Sequence, residues 1–380
     1  MKILDIKLHD FRNYDTLELK FNPSKNIIIG KNGEGKTNIV EAIYVLALTK
    51  SFRGSKEDVI IKYDKESTRV EGKVKDKNSK KYRVILNREG KKTVRIDNTN
   101  INRITDYLSN INIVLFTIDD LKLIKDTPST RRKLIDIELS QFSNEYLKLL
   151  TLYNKVLKQR NSYLKMMYLN GNSSKDYLSI LTNQLIELGM KIFKYRCEFI
   201  EDLNNFIETN YFKITGNHDL KIVYKSSFTN KDKLDLEKLY KRELDRDITQ
   251  GKTNSGIHHD DYEFYLNDRN LKDYGSEGEQ KNAIIALKMA EIDIFKDRKG
   301  VTPILILDDL FSELDKQKIN NILKFISDDI QTFVTTTEIN KVSNRLKLGS
   351  TIFEVKNGMV KERQAWKMKS MHMMIVRYKF

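Results

Sequence analysis

The stretch GKNGEGKT at residues 30–37 fits the phosphate-binding P-loop pattern G-x-x-x-x-G-K-[ST]. Apolar residues 27–29 precede it, and the segment NIVEAIYVLALT after it has helical spacing without a breaker. The pattern thus lies between a strand and a helix, where backbone N–H groups can receive phosphate oxygens. Lys36 would add a point charge, and Thr37 a hydroxyl ligand for Mg²⁺. We predict a nucleoside triphosphate site, and the context disfavours a glycine-rich turn that fits by chance.

A pair of aspartates follows a second apolar run far downstream, where ILIL at residues 304–307 leads into Asp308 and Asp309. Carboxylates at the edge of a core are costly unless they are paired or hold a metal, and Mg²⁺ on phosphates takes one or two of them. We predict that Asp308 is the Mg²⁺ ligand and that Asp309 is the base for a water in line with the γ-phosphate. A strand followed by a solvated acidic turn is the alternative.

A glycine- and serine-containing helix start lies between these two motifs. Residues 274–282 read YGSEGEQKN, and a segment with helical periodicity follows. Gly275, Ser276 and Gly278 predict a second anion-binding helix N-terminus, with Gln280 one turn in. In head domains of the ABC type, such a motif completes the nucleotide site of a partner chain. We therefore expect an ATP-dependent homodimer, and an ordinary helix cap is the alternative.

The order and spacing of short motifs over residues 2–361 resemble the RecF family of bacterial recombination mediators, which are short relatives of the SMC proteins. The motifs are FRNY (11–14), GKNGEGKTN (30–38), EAIY (41–44), KSFR (50–53), TPSTRR (127–132), GIHHDD (256–261), GSEGEQ (275–280) and LDDLFSELD (307–315). The resemblance implies an α/β fold, with an ABC-type, SMC-like P-loop ATPase head formed by the N- and C-terminal segments and an inserted helical domain.

The resemblance also implies roles for residues at matching positions. Asp309, Lys36, Ser276 and Gln280 would take part in catalysis, the last two on the partner's γ-phosphate. Asp315 would lie in a loop that contacts the dimer partner. The implied metal ligands are Thr37 and Asp308, and the implied ATP-binding residues are Arg12, Asn13, Gly30, Lys31, Asn32, Gly33, Glu34, Gly35, Lys36, Thr37, Asn38, Arg53, Ser276 and Gly278.

Two of those residues, Arg12 and Arg53, occupy places where related ATPases direct an arginine at phosphates, a task that suits the bidentate guanidinium. A surface charge is the alternative for each.

Three departures from the family pattern limit the comparison. Ile257 and His259 replace the usual proline and arginine, which puts a phosphate or DNA contact there in doubt. Glu277 and Glu279 replace glutamines, adding negative charge beside a phosphate, which would slow hydrolysis. The segment TTTE at residues 335–338 has threonine where a switch histidine is expected.

Composition favours a polyanionic partner or a membrane surface, since 68 Lys and Arg against 53 Asp and Glu give a net charge of +15, and the charge alone does not choose between them. No apolar stretch approaches the roughly 20 residues of a membrane span, so we expect a cytoplasmic protein with no membrane partner. Residues 71–95 carry ten Lys or Arg. Lys73, Lys75 and Lys77 alternate there, so we predict that they share one strand face and contact duplex DNA; a solvated hairpin face is the alternative.

The predicted organisation is a head split by an insertion: an N-terminal part of the head at 1–120, a mainly helical domain at 121–255, a C-terminal part of the head at 256–363 and a tail without assigned role at 364–380. Strand-like segments at 220–224 and 262–266 would help close the head. A turn-forming stretch at 170–176 would join antiparallel helices of at most about 40 residues, or about 60 Å. The pair His258 and His259 suggests a hydrogen-bonded turn rather than a metal site.

Together these features predict a weak, DNA-stimulated ATPase that uses ATP and Mg²⁺ and dimerises on duplex DNA. From the resemblance alone, it would act in DNA repair and replication at gaps or at single/double-strand junctions, with RecR and RecO in recombinase loading. An SMC-like structural head without mediator role is one alternative, and a transporter ATPase is another.

Overall fold

The computed structural model describes residues 1–54, 57–170 and 174–363, and the chain divides into two compact units. The first unit holds residues 1–118 and the chain from 300 onward, and the second holds residues 119–299. Residues 171–173 of the predicted turn and the tail 364–380 lie outside the described residues. In the described part of the chain, no helix combines the length and apolar character that crossing a membrane requires.

The β-strands are numbered in chain order. They are β1 (Lys2–Phe11), β2 (Tyr14–Lys20), β3 (Lys25–Ile29), β4 (Ser67–Lys75), β5 (Ser79–Asn87), β6 (Lys92–Ile96), β7 (Thr99–Ile101), β8 (Ile113–Thr117), β9 (Leu220–Lys225), β10 (Asp261–Leu266), β11 (Arg269–Asn270), β12 (Ile304–Asp308), β13 (Thr332–Thr336), β14 (Thr351–Lys356) and β15 (Met359–Arg363).

The α-helices are numbered in the same way. They are α1 (Lys36–Leu48), α2 (Ile104–Tyr107), α3 (Pro128–Phe142), α4 (Asn144–Asn170), α5 (Lys175–Thr215), α6 (Lys233–Arg242), α7 (Leu244–Gln250), α8 (Leu271–Tyr274), α9 (Glu277–Lys299), α10 (Lys316–Phe325) and α11 (Asn344–Lys347).

One sheet of the first unit has the order β15-β14-β3-β13-β12-β8, in which every pair is parallel except β14 with β15. Its central strands β3 and β12 are buried apart from Lys25, which explains why they read as nearly continuous apolar runs. The carboxyl ends of parallel strands meet at one edge. The loop after β3 and the end of β12 therefore lie at the same edge of this sheet.

The second sheet of the first unit is antiparallel, in the order β2-β1-β4-β5-β6-β7. Helix α1 packs against strands of both sheets, so eleven of its 13 residues are buried. The two sheets thus enclose the helix that begins at the P-loop. The prediction that Lys77 shares a strand face with Lys73 and Lys75 is wrong, because β4 ends at Lys75 and Lys77 lies in the bend before β5.

The second unit is mainly helical. Contacts of α4 with α5 run in opposite directions along the two helices, as in Tyr195 with Glu145 and Arg160 with Thr182, so the helices are antiparallel. They have 27 and 41 residues, hence about 40 and 60 Å at about 1.5 Å per residue. The strand-like segments expected to close the head instead pair with each other, because β9 and β10 form a separate sheet with β11.

Residues 256–299 also belong to the second unit, whereas the sequence placed them with the C-terminal part of the head. The reason is the packing of α9 against helices of this unit. The Phe295 ring stacks on Phe142 with centroids 4.2 Å apart, and the Asn210 amide donates to Asp293 at 2.8 Å.

Buried arginines connect the motifs TPSTRR and GIHHDD within the second unit. Arg131 donates to both carboxylate oxygens of Asp261, at 2.7 and 2.9 Å, and Arg196 donates to Asp260 at 2.8 Å. Such pairs are costly to break once buried. The turn Ile257–His259 leads from these pairs into β10, and the Nε2–H groups of His258 and His259 both donate to the Thr253 carbonyl at 3.1 Å. The motif GIHHDD thus contains a hydrogen-bonded turn, which Arg131 at the start of α3 holds through Asp261.

Candidate nucleotide site

The loop between β3 and α1 needs glycine at defined places. Gly33 and Gly35 have φ values of 84° and 110°, a left-handed region that side chains rarely adopt. A Cβ on Gly35 would also lie 2.8 Å from the Asn13 Nδ2 and from the Tyr14 hydroxyl, and one on Gly30 would lie 2.4 Å from the Val355 carbonyl oxygen. The backbone therefore curls at the start of α1 as a phosphate-binding loop does.

Polar groups of this loop bond to one another. The Lys36 ammonium donates to the Lys31 carbonyl at 2.9 Å, and the Lys31 N–H donates to the Glu34 carboxylate at 2.8 Å. Burial lowers the pKa of Lys36, and the carboxylates of Asp309, Asp308 and Glu34 act in the opposite direction. The loop thus already holds an anionic group on one of its amides, and a phosphate would compete with it.

The acidic end of β12 meets the start of α1 at the edge of the parallel sheet. Asp308 accepts a hydrogen bond from the Thr335 hydroxyl at 2.7 Å, and the Thr37 hydroxyl lies near its carboxylate. Burial raises the pKa of Asp308, while the Thr335 and Thr37 hydroxyls act in the opposite direction. Two of the residues expected to bind Mg²⁺, which lie far apart in the sequence, are therefore neighbours.

Asp309 follows the strand in a left-handed conformation, with φ of 51°. Its N–H donates to the Thr335 hydroxyl at 2.8 Å. Thr335 lies in the segment TTTE, where a switch histidine was expected, and sequence reasoning gave this residue no role of its own. A single hydroxyl on β13 therefore contacts both residues of the aspartate pair.

Arg12 is paired within its own chain. Its guanidinium donates to both oxygens of the Glu41 carboxylate, at 2.9 and 2.6 Å, and Glu41 is fully buried in α1. A guanidinium nitrogen of Arg53 lies 3.8 Å from the same carboxylate. The alternative of a simple surface charge is therefore wrong for Arg12. Sequence reasoning missed Glu41, although an acid within the apolar helix of EAIY was a signal.

A cleft of about 480 Å³ opens beside the P-loop helix. Its walls include Arg12, Asn13, Asn38 and Arg53 of the expected ATP-binding set, together with Tyr63. The Asn38 amide donates to the Asn13 side chain at 2.7 Å, which joins α1 to the β1–β2 turn. The cleft is large enough to receive part of a ligand whose phosphates lie on the P-loop.

The helix start at GSEGEQ, in the second unit, forms a capping box. The Glu279 carboxylate accepts from the Ser276 N–H and hydroxyl, each at 2.8 Å, and the Glu279 N–H donates to the Ser276 oxygen at 3.3 Å. Gly275 lets the backbone pass close to the Leu271 carbonyl oxygen, since a Cβ at this position would lie 2.6 Å from that oxygen. Ser276 is exposed and Gly278 half-buried. A partner chain could reach this helix start, but the N–H and hydroxyl of Ser276 are already bonded to the Glu279 carboxylate.

Gln280, which the resemblance directs at the partner's γ-phosphate, has a buried side chain in this structure. Its amide donates to the carbonyls of Leu271 and Gly275, at 2.6 and 3.1 Å. Gln280 therefore supports the loop from below. Asp315, expected in a dimer contact, caps α10 by accepting from the Lys318 N–H at 2.8 Å.

Cationic side chains share the outer face of β4, β5 and β6. We call this set the basic sheet face: Arg69, Lys73, Lys75, Lys81, Arg83 and Arg95. Glu71 lies among them within 3.2 Å of Arg69 and 2.9 Å of both Lys81 and Arg83. Burial opposes the charged form of Glu71, yet the three cations outweigh it and lower its pKa. Lys73 and Lys75 are exposed. Sequence reasoning counted Lys81, Arg83 and Arg95 among the ten cations of residues 71–95 without assigning them to this face, and it missed Arg69.

Comparisons with known proteins agree with this geometry. Residues 2–361 match the family model of the RecF/RecN/SMC N terminal domain. The chain is 39% identical over 372 residues to the DNA replication and repair protein RecF of Halalkalibacterium halodurans, covering 96% of this chain and 100% of the relative. It is 36% identical over 367 residues to the protein of that name from Bacillus subtilis, covering 94% and 99%.

Solved structures give the same result. The recombination mediator protein RecF-ATPrS in the RecFOR pathway is similar with a TM-score of 0.87 and 31% identity, covering 95% of this chain and 97% of that one. A RecF-ATP structure matches with the same TM-score and 30% identity, also covering 95% and 97%. An SMC head bound to the winged-helix domain of ScpA has a TM-score of 0.53 at 16% identity, covering 96% and 97%, and supports the fold alone.

Proposed function

Since the chain belongs to the RecF family, within the wider family of RecF/RecN/SMC N-terminal domains, we propose that it is an ATP-dependent DNA-binding protein of DNA replication and repair. It dimerises on duplex DNA, hydrolyses ATP slowly to release it, and helps recombinase loading at gaps. The observation that carries the proposal is that the start of α1 and the end of β12 lie at one edge of the parallel sheet, where the Thr37 hydroxyl is near enough to Asp308 to lower its pKa. This arrangement joins a P-loop helix to an acidic strand end in the manner of a nucleotide-hydrolysing site.

The first step is phosphate binding by the loop of residues 30–37. Its backbone N–H groups and the N-terminus of α1 receive the phosphates, and the Lys36 ammonium exchanges the Lys31 carbonyl for a β- or γ-phosphate oxygen. Because Lys36 is only 5% exposed, its charge is poorly screened by water. The remaining parts of ATP lie along the cleft beside Asn13 and Asn38.

The oxygen ligands present fit Mg²⁺, since a hydroxyl and a carboxylate are the hard donors that this ion prefers. Thr37 and Asp308 would hold it, and the ion would supply positive charge to the phosphate oxygens. Asp309, one residue beyond the strand, accepts the proton of the attacking water. The Glu41 carboxylate pairs with Arg12 and lies near Arg53, and both guanidinium groups line one side of the cleft.

The signature GSEGEQ acts on the nucleotide of a second copy. Ser276 and the backbone beside Gly278 are exposed or half-buried at a helix start, where a γ-phosphate is a favourable partner. Gln280 keeps this loop in place through the Leu271 and Gly275 carbonyls. Because Glu279 bonds to Ser276, the partner's γ-phosphate must displace a carboxylate, so this bond opposes dimerisation.

DNA lies on the basic sheet face. Glu71 neutralises part of the charge of Arg69, Lys81 and Arg83, while exposed Lys73 and Lys75 remain suited to phosphates of a duplex. Lys77, in the adjoining bend, reaches the same backbone from the end of the strand.

Action together with RecR and RecO is supported by the related structures of RecF in the RecFOR pathway. Action at gaps rests on the family resemblance alone. An SMC-like structural head is less favoured, because helices of 27 and 41 residues are too short for the SMC coiled coil.

ATP binding and turnover test this proposal. Lys36→Met should lose ATP binding, while Asp309→Asn should bind ATP and hydrolyse it about 10² to 10⁴ times more slowly. ATP bound at wild-type affinity by Lys36→Met, or unchanged turnover by Asp309→Asn, would contradict the assigned roles. DNA stimulation of the turnover is measured in the same assay, with duplex and gapped DNA in parallel.

A further inference from the structure

Thr335 occupies a central place in the parallel sheet. Strand β13 lies between β3, which leads into the P-loop, and β12, which ends in the aspartate pair. Thr335 pairs in register with Ile28 of β3, and its side chain is completely buried. Its position is therefore held by the strand ladder and by close packing.

The Thr335 hydroxyl makes two bonds of different kinds. It donates to the Asp308 Oδ1 at 2.7 Å and accepts from the Asp309 N–H at 2.8 Å. A hydroxyl has one proton and two lone pairs, so both bonds form at once. A β-branched side chain has few rotamers, which fixes the oxygen between these partners.

The bond to Asp309 matters because of the backbone there. A φ of 51° costs a residue other than glycine roughly 1 kcal/mol or more and is kept only where the surroundings hold it. The N–H bonded to Thr335 belongs to this residue, and the direction of its carboxylate follows from its backbone. The same side chain thus constrains the acid at the strand end and the acid after it.

We propose that Thr335 is a positioning residue for ATP hydrolysis, orienting Asp308 as a metal ligand and Asp309 as the base through one hydroxyl. This inference rests on the proposed function of the site. It assigns a role to a threonine of the segment in which the switch histidine was expected. Groups that orient metal ligands from behind typically change metal affinity or activity by about 10- to 100-fold when removed.

The test compares Thr335→Val, which keeps the shape and loses the hydroxyl, with Thr335→Ser, which keeps the hydroxyl. Thr332→Val is the matched control, because Thr332 is equally buried on the same strand and its hydroxyl bonds only weakly, at 3.3 Å, to the Ile330 carbonyl. Thr335→Val should lower kcat about 10- to 100-fold with little change in ATP affinity measured without Mg²⁺. Thr335→Ser and Thr332→Val should remain close to wild type.

Two measurements besides turnover read the same geometry. Hydrogen exchange of the Asp309 amide should accelerate in Thr335→Val, and the gain in ATP affinity on adding Mg²⁺ should shrink. In the Asp309→Asn background, Thr335→Val should lower kcat much less than it does in the wild type. The reason is that the effects of groups that act through one another are not additive. If Thr335→Val does not fold, Thr335→Cys, with a weaker donor, takes its place and should show the same losses.

Wild-type kcat and unchanged Asp309 exchange in the hydroxyl-free variant would overturn this inference. A Thr335→Ser protein as slow as Thr335→Val would also overturn it, because the methyl group would then be what matters. In both cases wild-type turnover would leave the proposed function standing. A wild-type protein without ATP turnover would instead contradict the proposed function itself.

Discussion

The pairing of Arg12 with Glu41 predicts how much stability the chain loses when the pair is broken, because the burial of the two charges sets the loss. The Glu41 side chain is 0% exposed and that of Arg12 is 12% exposed, so both charges are largely removed from water. Glu41→Met leaves the guanidinium in place without this carboxylate. Breaking a buried pair from one side costs about 3–5 kcal/mol, because the remaining charge stays desolvated. At about 2–4 °C per kcal/mol for a unit of this size, Tm should fall by about 6–20 °C.

The assay is equilibrium unfolding and calorimetry on four proteins: wild type, Glu41→Met, Arg12→Met and the double variant. The double variant should recover most of the lost stability, because it leaves neither charge buried alone. Glu89→Gln is the control, since Glu89 pairs with Lys91 where both side chains are at least 74% exposed, and it should change stability by less than about 0.5 kcal/mol. A Glu41→Met protein as stable as the control would refute the reasoning.

The same double variant separates two roles of Arg12. If the guanidinium serves only to balance Glu41, the folded double variant binds ATP as the wild type does. We predict weaker binding, since Arg12 lines the cleft beside the P-loop.

Three further predictions concern the DNA surface, the signature motif and the loss of folding stability at acidic pH. Lys73, Lys75 and Lys77 changed together to Ala should bind duplex DNA more weakly without a change in ATP affinity. The slope of log K against log salt should flatten by about 0.9 per lost phosphate contact. An unchanged slope, or an equal loss of DNA affinity in a Lys155→Ala, Lys158→Ala control on α4, would show that these lysines lie on a solvated face and do not contact DNA. Glu279→Gln keeps a hydrogen-bond acceptor for Ser276 and removes a charge that opposes the phosphate, so the ATP-dependent dimer should tighten about fivefold in sedimentation equilibrium; an unchanged or weaker dimer would contradict this. Burial lowers the pKa of His258 to about 4, and the unfolded chain takes up this proton near 6.5, so stability should be full above pH 6.5 and fall by up to about 3 kcal/mol towards pH 4. His258→Asn should remove that part of the slope in urea unfolding across pH, and an identical slope would assign it to other groups.

Local patterns of the chain were enough to predict the strand, loop and helix around residues 30–37 and the strand that ends at Asp308. Each combines a continuous apolar run with residues whose chemistry permits few alternatives, such as glycine at positive φ. Helices of the second unit were predictable for the same reason, because their apolar spacing is regular.

Features that depend on distant partners were not predictable. Lys77 continues the alternation of Lys73 and Lys75, but the chain turns before it because Asp76 bonds to Asn78 across the bend. Gln280 looked accessible in a helix start, and only the carbonyls of Leu271 and Gly275 show why it is buried. Thr335 lies 27 residues from its carboxylate partner Asp308, so no local signal connects them.

The assignment of segments to the two compact units was also not predictable from the sequence. The signature helix α9 precedes the acidic strand directly, which placed it with the head. Its apolar residues pack on α3 and α5 instead, and an apolar periodicity does not say which partner it meets.

Sedimentation velocity with ATP, Mg²⁺ and a short duplex tests the central claim, an ATP-dependent dimer on DNA, most directly. Asp309→Asn should sediment as a DNA-bound dimer and Ser276→Arg as a monomer that still binds ATP. A mixture of Ser276→Arg with Lys36→Met should recover dimers, because it supplies one site with an intact P-loop on one chain and an intact signature on the other. Asp309→Asn that remains monomeric with ATP, or Ser276→Arg that dimerises as the wild type does, would contradict the account.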